Sequence, residues 1–131
     1  MVESYLSKAK HNLNFFTLNQ NQSQYNDWLV VMLYYALYHC ALALLAKKKY
    51  MSKNHAATLL FLIKEYSLDL EDAKLISELS ISKDDAELYT NLKTDRHNAS
   101  YATKMLFSDE KIENYRFKVV EFMQKTRELL N

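Results

Sequence analysis

The chain has no glycine and no proline among 131 residues, and a single cysteine, Cys40. Hairpins, tight turns and barrel corners lean on glycine and proline, so their absence argues against β architecture and for helices joined through Asn, Asp and Ser. Without glycine there is no glycine-rich phosphate loop. One cysteine forms no intrachain disulfide, and Cys40 lies inside an apolar run, where it reads as a small buried hydrophobe. No Glu-x-x-His occurs, which removes the di-metal carboxylate bundle, and a lone cysteine with scattered histidines makes neither a zinc site nor a Cys–His nucleophile pair. Charge of one sign is also missing: the net charge is +1, so any anion site must be local. No cofactor is implied by any motif.

What is present is a long apolar stretch from Trp28 to Ala46, WLVVMLYYALYHCALALLA, broken only by His39 and closed by Lys47, Lys48 and Lys49. A helix apolar all round must be buried on all sides, by other helices or by lipid. Its length reaches the membrane threshold, but Tyr34, Tyr35 and Tyr38 sit mid-run, whereas membrane tyrosines collect at the interfaces. The surrounding segments are amphipathic and need a partner. The run is therefore expected to be the central helix of a bundle and not a membrane span. The lysines suit a helix C-terminus. The N-terminus shows no basic start followed by an apolar segment and cleavage site, which points to the cytoplasm.

The hydrophobic content of 49% over 131 residues predicts one domain, 1–131. Val2, Leu6, Ala9, Leu13 and Phe16 recur at helical spacing and predict a first helix over about Val2 to Phe16. LNQNQSQYND reads as a loop or frayed end. After the central helix, Ser52 or Asn54 caps the next one, with Ala56, Leu59, Leu60 and Ile63 as its inner stripe. Asp69 with Asp72, and Ser82 with Asp85, pair a side-chain cap with a first-turn acid, and each predicts a new helix. The helix after Ser82 is expected over about Asp84 to Lys104, with Leu88, Leu92, Ala99 and Ala102 inward. Ser108 starts the last, whose inner face is Ile112, Tyr115, Val119, Phe122, Met123, Thr126 and Leu129. The expected fold class is all-α, an antiparallel up-and-down bundle of about five helices.

A polar cluster, Asp95-Arg96-His97-Asn98-Ala99-Ser100-Tyr101, falls where an apolar face should continue, and such violations mark functional sites. His97 and Tyr101 share a helical face, whereas Arg96 and Tyr101 lie about 140° apart on a regular helix. Arg96 could grip a phosphate with its planar fork of donors, approached by His97, Asn98 or Tyr101. The plain alternative pairs Arg96 with Asp95 or Glu87 on a solvated surface, with Tyr101 a snorkelling core aromatic. His39 reads as a hydrogen-bonded core residue.

The segment YYALYHCALALLAKKKYMSKNHAATLLFL, followed some thirty residues on by DRHNASY, resembles the HEPN superfamily (higher eukaryotes and prokaryotes nucleotide-binding domain). The likeness runs from about Trp28 to Tyr101 and is to its small stand-alone prokaryotic members, with a Tyr-Tyr-Ala helix, a Lys-x-His at His55 and an Arg-x4-Tyr motif at Arg96 and Tyr101. The resemblance implies an antiparallel bundle, usually a homodimer, with the arginine motif lining a cleft near the dimer interface. It implies a metal-independent ribonuclease, the toxin of a toxin–antitoxin pair with a small nucleotidyltransferase. Arg96, His97 and Tyr101 then take the active-site positions, with RNA or nucleotide as ligand, and His55, at the Lys-x-His position near the start of the third helix, serves in capping or contacts nucleotide. Tyr101 stands where the family has histidine. A phenol of pKa near 10 is about one part in a thousand ionised at pH 7, so His97 is the better proton shuttle. The alternative is a non-catalytic module that binds nucleotide or partner, with Tyr101 as acceptor of AMP.

Overall fold

The computed structural model describes residues 1–20, 25–51, 54–91 and 107–131, without the side chains of 55 and 89–91. Five helices make up the described chain: α1 (Val2–Asn19), α2 (Asn26–Lys47), α3 (His55–Tyr66), α4 (Leu70–Asn91) and α5 (Asp109–Leu130). No strand occurs among the described residues, so the fold is an all-α helical bundle.

The apolar run becomes α2, and the other four helices all pack against it. Fourteen of its residues are buried, from Asn26 to Leu45. By length and composition it could cross a membrane, but 67% of its most apolar window is buried inside the fold. Cross-helix contacts set the directions. Tyr5 of α1 meets His39 of α2, with ring centroids 6.3 Å apart, so these two helices run antiparallel. Lys83 of α4 lies 5.1 Å from the Tyr34 ring centroid, and α4 meets α5 through Ser82–Tyr115, 3.3 Å apart, and Asp72–Lys125. The four long helices therefore go up, down, up and down, with α3 a short spur at the far end of α2. There Tyr66 donates its hydroxyl to the Leu44 carbonyl at 2.6 Å and Tyr50 stacks on Phe61 at 4.0 Å.

The helix ends solve the missing-glycine problem locally. Lys49 sits at φ 56 and closes α2, with Tyr50 N–H on the Leu45 carbonyl and Lys49 N–H on the Ala46 carbonyl, both at 3.0 Å. That is a Schellman closure with lysine in the left-handed position usually held by glycine. Ser67, φ 54, is a second residue in the left-handed region, at the end of α3. Asn54, Asp69 and Ser108 cap α3, α4 and α5, accepting from Ala57, Asp72 and Lys111 N–H at 2.8, 2.9 and 3.2 Å.

Several sequence expectations change. The first helix extends past Phe16 to Asn19, and the polar stretch after it is not all loop: Asn26 and Asp27 are buried at 1% and 0% exposure. Ser82 starts no helix, since α4 runs unbroken from Leu70 to Asn91. Its hydroxyl lies buried against Tyr115 and is spent across the α4–α5 contact. Leu88 points outward, 61% exposed, because the buried face of α4 runs through Leu75, Leu79, Ser82 and Ala86, and two positions past Ala86 is more than half a turn round the helix. Leu92, Ala99 and Ala102 lie outside the described residues. In α3 the face chosen is Thr58 and Leu62, while Leu60 and Ile63 stand exposed at 68% and 40% and Ala56 is also exposed. The run Leu59–Ile63 is apolar at every position, so periodicity could not select a face. In α5 the inner face is as expected down to Thr126, with Leu129 half out at 36% exposure.

Candidate functional site

Asp95, Arg96, His97, Asn98 and Tyr101 lie outside the described residues. What the structure places is the frame on either side of them. The stretch leaves α4 after Asn91 and rejoins the described chain at Phe107. Because α4 runs antiparallel to α2 while α5 runs parallel to it, both flanks come to the end of the bundle where α2 begins.

That end is fastened from within. Asn26, in the first turn of α2, donates through Nδ2 to the Phe107 carbonyl at 2.7 Å and to Asp109 Oδ1 at 2.8 Å. Phe107 is itself 3% exposed. One amide thus ties the head of α2 to the head of α5 across 81 and 83 residues of sequence. Beside it is Asp27, a carboxylate at 0% exposure in the first helical turn, where the positive end of the helix dipole favours negative charge. Neither residue was singled out from sequence. The available signal was their place directly before the apolar run. Their burial depends on Phe107 and Asp109, which periodicity does not reach.

On the α4 flank, Glu87, considered above as an acid for Arg96, pairs with Lys83 at 3.5 Å, and Lys83 also reaches Asp84 at 3.3 Å. The same ammonium lies over Tyr34 and within 5.9 Å of the Tyr35 ring centroid. Burial, with Tyr38, Tyr35 and Asp84 close by, pushes the Tyr34 phenol well above the ordinary tyrosine range, which keeps it neutral and holds it as a packing element.

The remaining histidine candidates separate. His39 has its expected hydrogen bond, Nδ1–H to the Tyr35 carbonyl at 2.7 Å, but is only part-buried. His55 is the first residue of α3 and its side chain lies outside the described set. The capping role falls to Asn54. Cys40 is fully buried, and burial pushes its thiol up to about 12, so it is no nucleophile. Among the described residues no group of three His, Cys, Asp or Glu side chains could hold a metal ion. The chain matches no family model and no curated protein.

Proposed function

We propose that the protein is a HEPN-type, metal-independent ribonuclease, working in the cytoplasm as the toxin subunit of a pair with a small nucleotidyltransferase. The observation that carries the reading is the order of three motifs along the chain: the Tyr-Tyr-Ala helix, the Lys-x-His at His55 and the Arg-x4-Tyr at Arg96. The fastening of Asn26 to Phe107 and Asp109 supports it, because it fixes one flank of the Arg96 stretch to a rigid helix end, and catalytic groups on connecting segments need such a scaffold.

Cleavage of RNA without metal needs a base for the 2′-hydroxyl and a cation for the phosphorane. His97 takes the 2′ proton, O2′ attacks phosphorus, and the P–O5′ bond breaks as the neutral Tyr101 hydroxyl gives the 5′-oxygen its proton, leaving a 2′,3′-cyclic phosphate and a 5′-hydroxyl. Arg96 carries the charge that builds on the non-bridging oxygens, Asp95 and Asn98 are binding residues beside it in sequence, and His55, which begins α3 at the far end of α2, would bind nucleotide apart from them. Purified protein incubated with RNA in EDTA should release cyclic-phosphate ends, and Arg96→Ala should lower the rate by about 100-fold or more. Equal and negligible cutting by both proteins would remove the enzyme.

Tyr101 in the histidine position favours a second reading, a non-catalytic module whose tyrosine accepts AMP. Its phenolic oxygen would attack the α-phosphorus of ATP on the nucleotidyltransferase, forming a phosphodiester and releasing pyrophosphate. Mass spectrometry after co-expression with that partner should then show one added AMP, absent in Tyr101→Phe.

A further inference from the structure

At the end of the bundle where α2 stops, tyrosines from three places in the chain border one cavity. It holds about 390 Å³ and is lined by Tyr5 of α1, by Tyr38, Leu42 and Leu45 of α2, and by Lys49 and Tyr50 of the turn that follows. Small-molecule sites run from roughly 300 to 1,000 Å³, so this one has room for a ligand of one or two rings. The flanks of the Arg96 stretch lie at the opposite end, where α2 begins.

The aromatic walls are set before anything enters. Tyr50 stacks on Phe61 with centroids 4.0 Å apart and planes 13° apart, Tyr38 stacks on Tyr34 at 5.8 Å, and Tyr5 lies against His39 at 6.3 Å. None of those three neighbours borders the cavity. Each ring is thus fixed from behind, and a flat ligand meets surfaces whose ordering was completed in folding. Leu45, 1% exposed, closes the floor.

Charge decides which kind of ring fits. No Asp or Glu lines the cavity, and its one charged side chain is Lys49, which makes no ion pair among the described residues. The carbonyls at the negative end of α2 are taken up locally: Leu45 accepts from Lys48 and Tyr50 N–H at 3.1 and 3.0 Å, and Ala46 from Lys49 N–H at 3.0 Å. Tyrosine faces also attract organic cations, but a cation here would meet the Lys49 ammonium with no carboxylate to offset it. A nucleotide brings a ribose and two or more negative charges, for which one ammonium among Leu and Tyr side chains offers too few polar partners.

From this we infer that the cavity binds a small planar aromatic monocarboxylate, its ring among Tyr5, Tyr38 and Tyr50 above Leu45 and its carboxylate on the Lys49 ammonium. The site is separate from the Arg96 stretch and does not depend on the ribonuclease reading.

Equilibrium dialysis with 2-naphthoate tests it. Wild-type protein should retain one equivalent, and naphthalene-2-carboxamide, the same ring without the charge, should bind more weakly by about tenfold or more. Lys49→Asn removes the ammonium and keeps a residue that tolerates φ 56. It should weaken 2-naphthoate by about tenfold or more at an unchanged melting temperature, and Lys49→Arg should restore the affinity. Ala46→Phe, at another lining position, should fill the cavity and abolish binding; should that variant fail to fold, the two Lys49 variants still decide. Arg96→Ala should bind 2-naphthoate as the wild type does, whether or not either protein cuts RNA. No retention at millimolar 2-naphthoate, equal binding of the carboxamide, affinity indifferent to Lys49→Asn, or AMP binding more tightly than 2-naphthoate would each overturn the proposal.

Discussion

At the scale of single residues, the chemistry of this chain is set by what surrounds each group more than by its type. Cys40 is fully buried and its thiol is raised to about 12. At pH 8 the reactive thiolate is then on the order of one part in ten thousand, so a thiol reagent should label the folded protein no faster than it unfolds, and labelling rates across a denaturant series should track unfolding. Asn26 is the other telling residue. Replacing it with Ala removes both Nδ2 hydrogen bonds and leaves the Phe107 carbonyl buried without its donor, which should cost roughly 1–3 kcal/mol in chemical denaturation. A smaller change is expected where backbone strain sits: Ser67→Gly, at φ 54, should raise stability by about 1 kcal/mol, because glycine adopts the left-handed region without a Cβ clash.

At the scale of elements, caps and core faces carry separable energies. Ser108→Ala removes the acceptor for Lys111 N–H and should cost about 1 kcal/mol. Leu44→Ala, at a wholly buried position of α2, should cost about 2–5 kcal/mol through the cavity it leaves. The caps at Asn54, Asp69 and Ser108 were legible in the sequence because a cap is a contact between residues three apart. The same pattern misled at Ser82, whose hydroxyl is taken by Tyr115, 33 residues away. In α3 the local signal was ambiguous in another way: five consecutive apolar residues point in all directions, and the choice of Leu62 over Leu60 and Ile63 is made by the end of α2.

At the scale of the whole molecule, charges on neighbouring helices set the response to pH. The Asp69 carboxyl is held below its usual value first by the Asp72 N–H and also by Lys125, and that of Glu113 by Arg116. Lowered carboxyl values stabilise the fold above about pH 4 and that contribution is lost as pH falls. Lys125 is raised, first by its hydrogen bond to Asp72; its contribution is present below about pH 10 and disappears as pH rises further. The midpoint of thermal unfolding should therefore be flat between these limits. The acid decline should be shallower in Asp69→Asn/Glu113→Gln, and modest throughout because both carboxylates are open to solvent.

From the amino-acid sequence alone came the all-helical class, the central position of α2, the capping residues and the inner face of α5, all of which depend on neighbours within two turns. The Arg96 stretch was also marked there, by polarity in an apolar pattern, although its own residues lie outside those described. Only the tertiary structure decided that Asn26 and Asp27 are interior and that α4 passes Ser82 without a break. Helical periodicity says that a face is apolar, but which apolar face is covered depends on the limited number of helices available to cover it, and on contacts that span 80 or more residues.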